Sequence, residues 1–152
     1  MDDRRAYVDA LKLLGRRELS EAQVRLHLAR RGHAPDAIDA AVARLLEERA
    51  IDDVRVAEAI ARTETGVRKR GKLRVRRAIE SAGIAAAIAK RAVEDVFGDI
   101  DGDDLLEAAL AKRLRRGARI SDDREFNRLY RYLVGQGFEA QRALDLLKKR
   151  RS

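Results

Sequence analysis

Val24-Arg25-Leu26-His27-Leu28-Ala29-Arg30-Arg31-Gly32 sets aliphatic side chains eight and four positions ahead of a glycine, and Val42 stands ten positions after it. The pattern returns around Gly83, with Val75, Ile79 and Val93, and around Gly137, with Leu129, Leu133 and Leu147. The glycines lie 51 and 54 residues apart. A recurrence at that period is the mark of a tandem array rather than of one globular core. Each copy is long enough for three helices of roughly 10 to 16 residues, which predicts an all-α, elongated array of three three-helix units. The expected units are 1–51, 52–102 and 103–152, with hinges near 51–53 and 98–103.

Apolar spacing elsewhere supports helices throughout. Tyr7, Val8, Leu11 and Leu14 form one stripe, and Ile38, Val42, Leu45 and Leu46 another. Further stripes run through Val56 and Ile60, through Ile88, Ala92, Val93 and Val96, through Leu106, Leu110 and Leu114, and through Phe126, Tyr130 and Leu133. Spacings of three and four residues put each set on one buried helix face. Local punctuation agrees. Ser20 with Gln23 makes a capping box, Pro35 suits a first helical position, and Ser121-Asp122-Asp123 opens the last middle helix. A third unit beginning around Asp103-Asp104 is expected. A glycine just past a helix end adopts positive φ, so Gly83→Val is expected to cost about 1 kcal/mol or more.

Composition removes several functional classes. The 152 residues contain no Cys, so thiol nucleophiles, disulfide frameworks and cysteine zinc sites are excluded. His27 and His33 are too few for a histidine-rich metal site and read as surface residues. No apolar run reaches the roughly 18 residues of a membrane span, and the start Met1-Asp2-Asp3-Arg4-Arg5 lacks a signal-peptide layout, which points to the cytosol. Asp99, Asp101 and Asp103 begin like a calcium loop, but the sixth position is Asp104 and the twelfth Leu110, so an acidic linker is the better reading. Asp52-Asp53 has no nucleophile or metal partner beside it. A non-enzymatic protein without a cofactor is expected.

Charge is the remaining signal. Lys and Arg number 34 against 26 Asp and Glu, for a net +8. The three units carry +1, +2 and +5, and the basic residues cluster. Gly66 to Arg77 holds Arg68, Lys69, Arg70, Lys72, Arg74, Arg76 and Arg77 with no acid. On a helix from Leu73, Val75, Ala78, Ile79 and Ala82 face inward and Arg77 outward. Lys112, Arg113, Arg115, Arg116 and Arg119 form a second cluster, and the chain ends Lys148-Lys149-Arg150-Arg151. Such clusters suit phosphates or an acidic protein surface, or simply a solvated helix face; the loss of every acid over twelve residues favours contact for the first cluster and leaves the other two open. Few amides stand where a recognition helix would read bases, and Phe97, Phe126 and Tyr130 belong to core stripes, so base readout is not indicated. On charge alone, a stand-alone DNA-binding protein acting through phosphate contacts is one candidate function.

Particular residues carry a family likeness. Leu13-Leu14, Arg17, Ser20, Glu21, Val24, Leu28 and Gly32 resemble the first repeat of the RecX family, regulators of the RecA recombinase. Leu45-Leu46 and Ile51-Asp52-Asp53-Val54-Arg55-Val56-Ala57 resemble its acidic-pair motif, with Asp52, Asp53 and Arg55 as the motif residues. Gly71, Arg74, Val75, Ile79, Gly83 and Ile84 resemble the second repeat, and Gly135-Gln136-Gly137-Phe138 the third repeat's Gly-Phe turn. The likeness spans roughly residues 6–150. Departures are Val56 in place of Phe or Tyr, Ala78-Ile79 in place of Glu-Leu, and Ala82 in place of Lys. The resemblance implies a protein, monomeric when free, that binds RecA–DNA filaments in their groove. It further implies that ATP hydrolysis and strand exchange fall because filament growth is blocked or disassembly promoted.

Overall fold

The computed structural model describes residues 2–152, with side chains from Arg4 onward, and it is all-α. Among the described residues nine helices follow one another: α1 (Asp2–Leu14), α2 (Glu21–Arg30), α3 (Pro35–Glu47), α4 (Asp53–Gly66), α5 (Lys72–Ser81), α6 (Ala86–Gly98), α7 (Gly102–Ala111), α8 (Asp123–Gly135) and α9 (Ala140–Arg150). Buried apolar side chains gather in three separate clusters, running from Ala6 to Ile51, from Val56 to Val93 and from Leu105 to Leu147. Each cluster draws on three consecutive helices. The exposed surface of 9586 Å² exceeds by roughly a quarter the ~7,700 Å² of a compact monomer of 17.1 kDa. The array is elongated.

All nine aliphatic positions of the recurring pattern are buried, from Val24 and Leu28 through Val93 to Leu147. Gly32, Gly83 and Gly137 have φ of 87°, 79° and 98°. Each middle helix therefore ends on a left-handed residue, which lets the following amide return to the last turn, as His33 does to Leu28 at 3.2 Å and Phe138 to Leu133 at 3.3 Å.

The starts follow the local chemistry. Ser20 and Gln23 form the capping box of α2, and Pro35 occupies the first turn of α3. Asp52 caps α4 and Asp122 caps α8. The third unit's first helix opens slightly ahead of the Asp103-Asp104 start read from sequence. Asp101 is its cap and accepts from the amides of both aspartates, which gives the acidic linker a helix-starting role.

Two expectations about burial fail. Val8 and Leu11, assigned to the α1 core stripe, are each 41% exposed, and Leu46 of α3 is likewise exposed. The buried residues of α1 are instead Ala6 and Ala10, facing a helix whose own buried set includes Ala37 and Ala41. Small side chains bring the two axes close and leave the larger ones outside the seam. His33, read as a surface residue, is mostly buried, with Nε2 2.7 Å from Asp9 Oδ2 on α1.

Candidate functional site

The candidate residues occupy the junctions between units, and the middle helices build those junctions. The α5 cap is Gly71, which has no side chain to satisfy the first-turn amides. The end of α8 does so instead: Gly71 N donates to Gln136 O at 2.8 Å and Leu73 N to Gly137 O at 3.2 Å. At the other end of α5, the Ser20 hydroxyl at the start of α2 donates to the Ala82 carbonyl. Helices α8, α5 and α2 thus meet end to end, each carboxyl terminus at the next amino terminus, which also aligns their dipoles favourably.

Glycine makes these approaches possible. A Cβ on Gly71 would lie 2.6 Å from the Gly137 carbonyl carbon and oxygen. One on Gly137 would overlap the Arg74 backbone nitrogen and Cβ, and one on Gly83 the Ala22 Cβ.

The motif Asp52, Asp53 and Arg55 lies at the first junction. Asp52 Oδ1 accepts from Val54 N at 3.0 Å and Arg55 N at 3.2 Å. Asp53 Oδ1 accepts from Glu21 N at 2.9 Å, so it serves a helix of the preceding unit. Arg55 pairs with Glu18 at 2.9 Å and also donates to the carbonyls of Arg49 and Ala50. Arg49 is itself left-handed, at φ 58°. The Glu18 contact raises the Arg55 pKa and keeps it charged. Together they form a clamp between units 1 and 2.

The basic run from Arg68 to Arg77 divides in two. Glu64, 8% exposed, accepts from Arg70 Nη1 at 2.7 Å and lies 3.9 Å from Arg68. Arg74 Nη1 donates to the Gly135 carbonyl at 2.9 Å. Arg76 pairs with Glu80 one turn on, at 3.0 Å. Lys72 stands 5.7 Å from the Phe97 ring centroid. Lys69, left-handed at φ 54°, and the exposed Arg77 make no side-chain hydrogen bond or ion pair among the described residues. Among the described residues, Arg74 is the member of the run whose side chain crosses the second junction, while Arg70 and Arg76 pair within unit 2. The run's buried counter-charge lies just ahead of the window that looked acid-free.

The second cluster comes to the same place. Lys112 Nζ donates to the Val67 carbonyl at 3.1 Å, joining the end of α7 to the turn after α4. Arg113 stacks 4.5 Å from the Tyr132 ring centroid, while Tyr132 donates to the Ala109 carbonyl. Arg115 and Arg116 are exposed and their side chains have no partner among the described residues. Arg68 and Lys69 follow the Val67 carbonyl that Lys112 meets, whereas Arg115 and Arg116 stand in the turn after α7 and Arg76 and Arg77 lie further along α5. Glu64 and the Val67 carbonyl, which organise this patch, carried no signal in the sequence beyond a carboxylate near a basic run.

Among the described residues no three His, Asp or Glu side chains form a metal-binding group, and no helix is long and apolar enough to cross a membrane. What the geometry offers is a long surface with cations projecting from it.

Known proteins resemble this chain in sequence and in fold. A profile of the RecX first three-helix domain matches residues 6–45. The regulatory protein RecX of Chromohalobacter salexigens is 34% identical over 131 residues, covering 86% of this chain and 83% of that one. The regulatory protein RecX of Halorhodospira halophila is 33% identical over 132 residues, covering 86% and 79%. The crystal structure of RecX from Lactobacillus salivarius superposes with a TM-score of 0.81 at 20% identity, covering 97% of each chain, and so shares the fold. With similarity running along most of the length of both relatives and the same helical array, the chain belongs to the RecX family.

Proposed function

We propose that this protein is a non-enzymatic, cytoplasmic regulator of RecA, monomeric when free. It lies in the groove of RecA–DNA filaments, where it lowers ATP hydrolysis and strand exchange by blocking growth or promoting disassembly. The observation that carries this reading is the end-to-end joining of α8, α5 and α2, which fixes the order of the units and holds them in one row. A row of units bridges several filament subunits, and tethered contacts multiply through effective concentration, so weak contacts per unit suffice. The tandem domains 1–51, 52–102 and 103–152 are the bridging elements. Lys69, Arg77, Arg115 and Arg116 supply the free charge for subunits or phosphates, with Arg68 and Lys112 beside them.

The test is titration of the protein into the DNA-dependent ATPase of RecA, with single-stranded DNA in large excess. Inhibition well below one protein per RecA subunit is expected. The basic surface favours one other reading, a stand-alone DNA-binding protein. It requires tight binding to naked DNA with a log K against log salt slope near −4.5 for about five phosphates, and no inhibition.

A further inference from the structure

Unit 1 carries the smallest net charge of the three units, yet its cations are segregated. Arg4, Arg5 and Lys12 on one face of α1, with Arg31 and His33 from the turn after α2, line a groove of about 810 Å³. Asp9 is the carboxylate in that lining, and it is already engaged, with His33 at 2.7 Å and Arg31 at 3.6 Å. The hydrogen bond from His33 holds its carboxyl below the ordinary range, so Asp9 stays an anion that offsets one positive charge, and the groove remains net basic.

The groove lies at the free end of the row of middle helices. The turns at Gly83 and Gly137 are covered by the neighbouring unit, whereas a Cβ on Gly32 would meet nothing within 4 Å. The turn bearing Arg31 and His33 is therefore open. From Arg5 to Lys12 is seven residues, about 10 Å of helix rise, so the two cations can reach different phosphates of one extended strand. Three of the four permanent cations are Arg, whose planar fork fits phosphate oxygens. Val8 is the one apolar side chain in the lining, too little for the buried anchor a protein partner needs.

We infer that this groove binds consecutive phosphates of a single nucleic-acid strand, a contact separate from the basic residues around the junction of units 2 and 3. The inference takes its biological setting from the filament reading, but the binding itself does not require RecA. Backbone contact at two separate places orients the protein along a strand instead of across it.

The experiment uses the full chain and a fluorescent twenty-nucleotide thymidine homopolymer, followed by anisotropy across a salt series. Arg5→Glu with Lys12→Glu is expected to weaken binding about tenfold or more at 0.1 M salt. It should lower the magnitude of the log–log salt slope by about 1.4, at ~0.7 per lost phosphate. Arg5→Gln with Lys12→Gln is read by the same slope and covers the case in which charge reversal unfolds the unit, checked by circular dichroism. Affinity within twofold of wild type and an unchanged slope would overturn the proposal. So would tripolyphosphate competing as well as the oligonucleotide at equal phosphate concentration, because the groove then holds a compact free anion. RecA ATPase inhibition by the wild-type protein separates the two readings: its absence sinks the filament reading and leaves the groove standing.

Discussion

The carbonyl of Gly137 accepts the amide of Leu73 at 3.2 Å, so the residue that ends α8 also caps α5 in the neighbouring unit. Gly137 achieves this with φ at 98° and with Arg74 packed against its Cα. A glycine here does two jobs, reversing the chain and admitting a neighbour's backbone.

Three glycines that look alike in sequence should therefore differ in substitution. Gly32→Ala is expected to cost about 1–2 kcal/mol, the strain of a left-handed Cβ. Gly137→Ala adds overlap with a helix start that cannot give way cheaply, for a total of about 3 kcal/mol or more. Gly83→Ala falls between, since its Cβ meets only the Ala22 methyl. Urea midpoints of the three variants, measured together, check the order.

Asp52 and Asp53 are adjacent but cap different helices. Each change to Ala is expected to cost about 1 kcal/mol. Their signatures in hydrogen exchange should separate. Asp52→Ala loosens the amides of Val54 and Arg55 in α4, whereas Asp53→Ala loosens Glu21 in α2 of the preceding unit. Equal fraying of α2 in both variants would contradict this division.

Structural and free arginines should respond differently to substitution. Glu64→Ala leaves Arg70, 17% exposed, without its partner, and is expected to destabilise by about 3 kcal/mol. Arg77→Glu with Arg116→Glu is expected to change stability by less than about 0.5 kcal/mol each while inhibition of the RecA ATPase falls. Thermal melts and the ATPase titration, run on the same preparations, read both effects.

Acid should loosen unit 1 through Asp9. Its hydrogen bond from His33, helped by Arg31, lowers the carboxyl pKa in the folded state. The unfolded chain then binds the proton more readily. The contribution is fully present above the unfolded value near ~3.9 and is lost as pH falls through the lower folded value. Glu48, lowered by the Tyr7 hydroxyl and by Arg44, acts in the same direction. Urea midpoints between pH 6 and pH 2.5 should fall for wild type and fall less for Asp9→Asn.

Periodicity, capping and positive-φ glycines are local properties, and they were legible in the chain. Val24, Leu28 and Val42 with their two sets of counterparts mark buried faces because helix spacing alone decides which side chains share a face. Ser20, Asp52 and Asp122 mark starts because their side chains reach amides two or three residues away. The three-unit all-α array follows from these.

The fate of each charge was not legible, because it depends on partners far along the chain. Arg74 meets Gly135, Lys112 meets Val67, and Asp9 meets His33, across separations of 61, 45 and 24 residues. The α1 core face also moved, since close Ala–Ala packing against α3 outweighed the larger Val8 and Leu11. Helical spacing names the residues that can share a face, but only the docking of one helix end on another settles which cations become ties and which stay free for a partner.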